Sequence, residues 1–108
     1  MAAYTLEQCF GATASQTATD LIIKKSDLPG LTAAANNTGS ALIVALLLHW
    51  MNNLTETNRL TDETNIKIAF SAAGIDIYEG QTADFLRNSI AAILYDPFQA
   101  PAVDPDTY

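Results

Sequence analysis

The sequence predicts an α+β fold in which one long buried helix packs on a small antiparallel sheet of about four strands, with extended N- and C-terminal segments. Three observations predict this fold: an apolar run of helical length near the middle, alternating apolar and polar residues after it, and a proline-rich end. The length of 108 residues and the 49% apolar composition suit a single domain. We assign residues 1–96 to that domain and residues 97–108 to an extended arm.

The N-terminal quarter of the chain carries the weaker signals. Residues 1–19 are rich in Ala, Thr, Ser and Gln, which predicts an arm or loop with a short helix at residues 5–10. The run DLIIKK at residues 20–25 predicts a strand, and the Pro-Gly pair within residues 26–30 predicts a turn. We therefore expect one strand and one turn before the main helix.

The strongest predicted element is a helix at residues 41–51, with the sequence ALIVALLLHWM. Residues 36–40 offer Asn, Thr and Ser side chains that can cap its start, and two asparagines follow its end. The run has eleven residues, whereas a transmembrane helix needs about 20, so we expect a buried core helix. A helix that is apolar on all sides must be covered on more than one side, either by the N-terminal segment or by another subunit.

A polar linker at residues 55–63 precedes the first strand of a predicted three-stranded antiparallel meander. That strand spans residues 66–70, where Ile66, Ile68 and Phe70 alternate with less apolar residues. Such alternation is typical of a strand with one buried face.

Two further strands complete the predicted meander. Residues 71–74 predict a turn into a second strand at residues 75–78, and residues 79–82 predict another turn. In the last segment, residues 85–95, the stretch 90–95 is apolar on both faces. This pattern is typical of a central strand, and the alanines leave a helix as the alternative.

The net charge of −7 limits the classes of partner that the chain can bind. Only five residues are Lys or Arg, and they form no cluster longer than two, so neither nucleic acid nor an anionic membrane surface is expected as a partner. The start of the chain lacks the pattern of a secretory signal, and Cys9 is the only cysteine. We expect a cytoplasmic or virion location with neither a signal peptide nor a transmembrane segment.

No catalytic, cofactor or metal site is predicted. His49 is the only histidine, and neither Cys9 nor any serine lies in a nucleophile-turn pattern. One Cys and one His cannot form a zinc tetrahedron, and no phosphate-binding glycine loop is present. A carboxylate pair among Asp76, Glu79 and Asp84 is the remaining candidate for acid/base chemistry. We expect a protein that is not an enzyme and that needs no cofactor.

The C-terminal segment combines prolines with spaced apolar side chains. Pro97, Pro101 and Pro105 should hold residues 97–108 extended. Phe98, Val103 and Tyr108 recur at intervals of five residues. We predict that they anchor the arm on a neighbouring subunit or on the chain's own sheet edge, and a flexible tail is the alternative.

Two residues near the helix end allow two interpretations as well. Trp50 and Met51 continue the helical apolar pattern, which usually means core packing. Trp and Met are also enriched at the centres of interfaces, so we include both as candidate interface residues.

These observations predict a non-enzymatic structural or assembly protein that acts through homo-oligomeric or particle packing, with other protein subunits as its partners. Small phage virion components, such as capsid decoration, connector or tail-completion subunits, are a class of protein with this general build. The comparison is an analogy with that class. One alternative is a small acidic cytosolic binding or regulatory module that recognises a basic partner. The other is a small enzyme that uses carboxylates.

Overall fold

The structure is a computed structural model that describes residues 2–76, 85–95 and 105–108. Its helices and strands, in chain order, are α1 (Leu6–Phe10), β1 (Ser15–Gln16), β2 (Leu21–Ile22), α2 (Gly39–Asn53), α3 (Glu56–Asp62), β3 (Ile66–Asp76) and β4 (Phe85–Leu94). The fold is mixed α+β, as the sequence predicts. The strands form two separate antiparallel pairs, β1–β2 and β3–β4, instead of the predicted sheet of about four strands.

The short N-terminal helix is confirmed, and both of its ends have a clear cause. The Thr5 hydroxyl accepts the Gln8 N–H at 3.2 Å, and the Gln8 side chain accepts the Thr5 N–H at 2.8 Å, which is a capping box. Helix α1 ends at Gly11, whose φ is 108°. A Cβ at Gly11 would lie 2.6 Å from the Cβ of Asp27, so only glycine fits this close approach.

The strand predicted at residues 20–25 is much shorter in the structure. Only Leu21–Ile22 pair, with Ser15–Gln16, and a 3-10 turn at Lys25–Asp27 follows. The Thr17 hydroxyl accepts the N–H of Asp20 at 3.0 Å and fixes the tight connection between β1 and β2. Both residues of β2 are exposed, so no packing extends the pairing.

Helix α2 begins and ends close to the predicted positions. The Thr38 hydroxyl accepts the Ala41 N–H at 3.1 Å and caps its start. Of its residues, Ala45 and His49 are buried, whereas Ile43 and Val44 are exposed. Within this chain the N-terminal segment covers only the inner face of the helix, and cover of the outer face by another subunit stays a prediction.

The linker predicted at residues 55–63 contains helix α3. The Thr55 hydroxyl accepts the Asn58 N–H at 3.1 Å, and Glu56 forms an ion pair with Arg59 at 2.8 Å one turn later. Capping and an i,i+3 ion pair stabilise a helix whose polar sequence has no apolar period. The helix ends at Glu63, which has a left-handed φ of 53°.

The first two strands of the predicted meander are one strand, β3. The turn predicted at residues 71–74 is wrong, because Ala72, Ala73 and Gly74 continue the ladder opposite Ser89, Asn88 and Arg87. The register shifts between Phe70 and Ala72, where a bulge accommodates the extra residue Ser71. The Ser71 hydroxyl donates to the Ser89 carbonyl at 3.2 Å. The continued ladder gives hydrogen-bond partners to backbone groups that a turn would leave unpaired. The turn predicted at residues 79–82 lies outside the described residues.

The core lies where the helices meet the first residues of β3. Leu54 and Ile68 are buried, and the Ile68 N–H donates to the Leu54 carbonyl at 2.8 Å. Next to them, the Ala2 N–H donates to the Glu63 carbonyl at 3.0 Å. Within the described ranges, the buried apolar residues are Ala14, Leu28, Ala45, Leu54 and Ile68. Only one end of the β3–β4 pair therefore belongs to the core.

Candidate functional site

The strand pair β3–β4, which we call the ribbon, exposes large apolar side chains on one of its faces. Residues directly opposite in an antiparallel ladder share a face, as do residues two apart along a strand. The register therefore groups Phe70, Ile75, Leu86 and Leu94 on the face that carries the buried Ile68. They are 50%, 69%, 70% and 43% exposed. We call these four side chains the ribbon face.

The opposite side of the ribbon carries its charged side chains. Arg87 Nη1 lies 3.0 Å from Asp76 Oδ1 across the strands, and Lys67 Nζ lies 3.0 Å from Glu56 Oε2 of α3. Phe85 and Ile93 are also exposed on that side, so the charges distinguish the two sides, and the described residues leave the ribbon face uncovered beyond Ile68.

A second apolar surface lies on the outer side of α2. Ile43, Val44 and Leu48 are exposed there. Val44 and Leu48 also line an open groove of about 330 Å³, whose other wall includes Pro29 and Leu31. The loop before the helix therefore borders this face without covering it.

Trp50 and Met51, two predicted interface residues, are both partly buried. The indole N–H of Trp50 donates to the Cys9 carbonyl at 2.8 Å, and its ring meets Phe10 edge to face with centroids 6.5 Å apart. Of the two interpretations of Trp50, these contacts favour packing within the chain. They also attach α1 to α2.

The predicted arm lies mostly outside the described residues, including Phe98 and Val103. At the end of the chain, Pro105–Thr107 form a 3-10 turn, and the Tyr108 N–H donates to the Pro105 carbonyl at 3.2 Å. The last residues therefore depart from the predicted extended conformation. The φ that proline imposes also suits the first position of a helical turn. Tyr108 is partly buried.

The candidate catalytic residues are engaged in structural roles or lie outside the described ranges. His49 is buried, and its Nε2 forms a hydrogen bond with the Gln8 carbonyl at 3.0 Å. Burial raises the pKa of the Cys9 thiol, which disfavours the nucleophilic thiolate. Asp76 pairs with Arg87. Its predicted partners Glu79 and Asp84 are not among the described residues.

The described ranges offer little other binding chemistry. No group of three or more His, Cys, Asp or Glu side chains there could hold a metal ion. A second cavity of about 310 Å³ is lined by Arg59, Leu60, Glu63 and Thr64. The Arg59 guanidinium is already bonded to Glu56 and lies 4.1 Å from the ring centre of Tyr95. None of the described helices has the length and apolar character needed to cross a membrane.

No protein-family model, curated protein or solved structure matches this chain. The ribbon face was not predicted from the sequence, because these side chains were assigned to a meander packed against the helix. The signal that was present is the apolar character of residues 90–95 on both faces, which a two-stranded sheet does not require.

Proposed function

We propose that this chain is a non-enzymatic structural subunit that acts by packing against further copies of itself in a homo-oligomer or a larger particle. The observation that carries the proposal is the ribbon, whose two strands have eleven and ten residues but no third strand among the described residues. An isolated two-stranded hairpin is marginally stable in water and needs another strand or a packed face. Packing against other copies supplies this support.

The distribution of apolar side chains supports the same proposal. Phe70, Ile75 and Leu86 are at least half exposed, although they lie beyond the core on the same face as Ile68. Monomeric proteins rarely expose several large apolar side chains on one face without a use for them, and such surfaces mark interaction sites. The apolar outer side of α2 is a second surface through which copies can pack.

The narrower forms of the proposal concern the arm and the biological setting. Phe98, Val103 and Tyr108 would add anchors on a neighbouring subunit. By analogy with a class of small proteins of this general build, we favour a phage virion as the setting, with the chain as a capsid decoration, connector or tail-completion subunit. Incorporation of the chain into a purified particle is the observation specific to that setting.

Sedimentation velocity and light scattering on the full chain, across a wide concentration range, test the proposal. We expect a discrete oligomer that Leu86→Asn shifts toward monomer, because a polar side chain at the centre of a packed apolar face is left without a partner. Leu21→Asn is the matched control, since Leu21 is also an exposed leucine on a two-stranded sheet. A full chain that stays monomeric at every concentration would refute the proposed function.

A further inference from the structure

The last strand of the ribbon has the sequence of a central strand and the position of an edge strand. Its second half is apolar on both faces, with Ile90, Ala92 and Leu94 on one face and Ala91 and Ile93 on the other. Central strands have this pattern because both of their edges and both of their faces are covered. In the two-stranded sheet, β4 has β3 on one side only.

The ladder indicates which backbone groups of β4 point away from β3. The Tyr95 N–H donates to the Asn65 carbonyl at 2.8 Å, so these two opposite residues form a hydrogen-bonded pair. Hydrogen-bonded and non-hydrogen-bonded pairs alternate along an antiparallel ladder, and the next pair, Ile66–Leu94, is therefore non-hydrogen-bonded. On β4, the outward N–H and C=O groups therefore belong to Ile90, Ala92 and Leu94. The outward N–H of Ile68, directly opposite Ala92, donates to the Leu54 carbonyl, as this alternation requires.

The two edges of the ribbon differ in how they are covered. Along β3, the chain at Ala2 bridges Thr64, Leu54 accepts from Ile68, and the bulge at Ser71 interrupts the edge. Along β4, no residue outside the ribbon within the described ranges bonds the outward backbone groups of residues 90, 92 and 94. Bulges and covering segments are common means of blocking edge pairing, so the β3 edge is protected and the β4 edge is open.

Charge favours a second copy of this chain as the occupant of the β4 edge. Residues 88–94, NSIAAIL, contain no charged residue, proline or glycine, so none of the residues that natural edge strands use against pairing occurs there. The nearest charge on the strand, Arg87, is already paired with Asp76 at 3.0 Å. The net charge of −7 therefore lies elsewhere, so two copies can approach here without like-charge repulsion, and a basic partner finds no unpaired carboxylate on β4.

We propose that two copies of the chain pair through the outer edges of their β4 strands, antiparallel and about a two-fold axis at Ala91, to form one continuous four-stranded sheet. The inference rests on the proposed function and specifies its first contact. In this register, Ile90 exchanges both backbone hydrogen bonds with Ala92 of the second copy, and residue 91 faces its own equivalent. A two-fold axis normal to the sheet keeps both ribbon faces on the same side, where they join into one apolar surface for further packing.

Disulfide trapping tests the pairing directly. At the non-bonded pair on the axis, the two Cα atoms of residue 91 are about 4.5 Å apart, which a disulfide can span. In a Cys9→Ser background, we expect Ala91→Cys to form a covalent dimer on mild oxidation. Ala72→Cys, the same substitution at an exposed position of β3, is the matched control and should remain monomeric on a denaturing gel.

A proline scan of the two edges tests the pairing without a crosslink. Ala92→Pro removes an outward N–H that makes no bond to β3, so the hairpin should survive while the dimer dissociation constant rises about a hundredfold. Ala73→Pro removes the corresponding outward N–H of β3 and should leave the dimer intact. Circular dichroism of both variants checks that the hairpin is folded.

The outcomes separate this inference from the proposed function. Trapping at residue 91 together with loss of the dimer in Ala92→Pro supports both. Assembly that persists in a folded Ala92→Pro variant, with no trapping at residue 91, overturns edge pairing and leaves the proposed function standing on the ribbon face or the α2 surface. A full chain that is monomeric at every concentration overturns both.

Discussion

The described residues before β3, residues 2–65, form what we call the body of the molecule, and the body and the ribbon differ in how many contacts they complete within the chain. In the body, α1 attaches to α2 through Trp50 and His49, whose ring nitrogens bond the carbonyls of Cys9 and Gln8. In the ribbon, Ile75 and Leu86 face each other at 69% and 70% exposure. The contact between α1 and α2 is therefore complete within one chain, although the outer side of α2 stays exposed, whereas the ribbon has the features of half an interface.

This contrast assigns the two regions different roles in stability. Leu54 and Ile68 connect the regions, because both are buried and share a backbone hydrogen bond. Residues on the body side of this junction should determine whether the chain folds. Residues beyond it on the ribbon should determine whether the chain assembles.

The largest expected effect separates two leucines. Leu54→Ala removes a side chain that is 3% exposed and should lower the free energy of unfolding by about 2–5 kcal/mol. Leu86→Ala removes one that is 70% exposed, and it should change the stability of the monomer by less than about 0.5 kcal/mol while weakening assembly.

Urea denaturation at a concentration below that of assembly measures the first effect, and sedimentation measures the second. Low concentration is needed because assembly stabilises the folded state by mass action. Equal losses of monomer stability in the two variants would show that the ribbon is part of the folding core, and the contrast would fail.

A smaller effect distinguishes packing from an interface role at the end of α2. Trp50→Phe keeps a ring against Phe10 but removes the N–H donated to the Cys9 carbonyl, so the free energy of unfolding should fall by about 1–2 kcal/mol. Assembly of the folded variant should not change, since Trp50 lies in the body. If instead folding is unaffected and the oligomer dissociates, Trp50 is an interface anchor.

Local chemistry made part of the fold predictable from the sequence. The capping side chains before α2 and the short helix after Thr5 depend on neighbours within a few residues, so the sequence identifies them. Helix α3 was missed because its stability comes from the Thr55 cap and the pair Glu56–Arg59, which leave no apolar periodicity to detect. Signals of this kind are visible only when capping is weighed above hydrophobic pattern.

The ribbon was predicted less well for a different reason. Ser71, Ala72 and Gly74 resemble a turn, but the cross-strand pairing with β4 outweighs that local preference, and a bulge results. Residues 90–94 do form a strand, as the sequence predicts, instead of the alternative helix. The predicted central position is not shown, because β4 pairs only with β3 among the described residues. The candidate surface therefore follows only from comparing sequence and structure.

The smallest expected effect concerns the ion pairs that join the body to the start of the ribbon. Hydrogen bonds from Arg59, and next from Lys67, lower the pKa of Glu56 from 4.5 to about 2. Because the pKa is lower in the folded state than in the unfolded chain, ionised Glu56 stabilises the fold above pH 4.5, and this contribution is lost as the pH falls toward 2.

Glu56→Gln should lower the melting temperature at pH 7 by less than about 5 °C, since exposed pairs contribute little. The difference from the parent should shrink steadily between pH 4.5 and pH 2. Glu7→Gln is the matched control, because Glu7 also lies in the first turn of a helix and shares any helix-dipole effect. Thermal melts of the three proteins at pH 7 and at intervals down to pH 2 provide the measurement. A pH-independent difference for Glu56→Gln, or an equal response of Glu7→Gln, would show that these ion pairs do not stabilise the junction between the body and the ribbon.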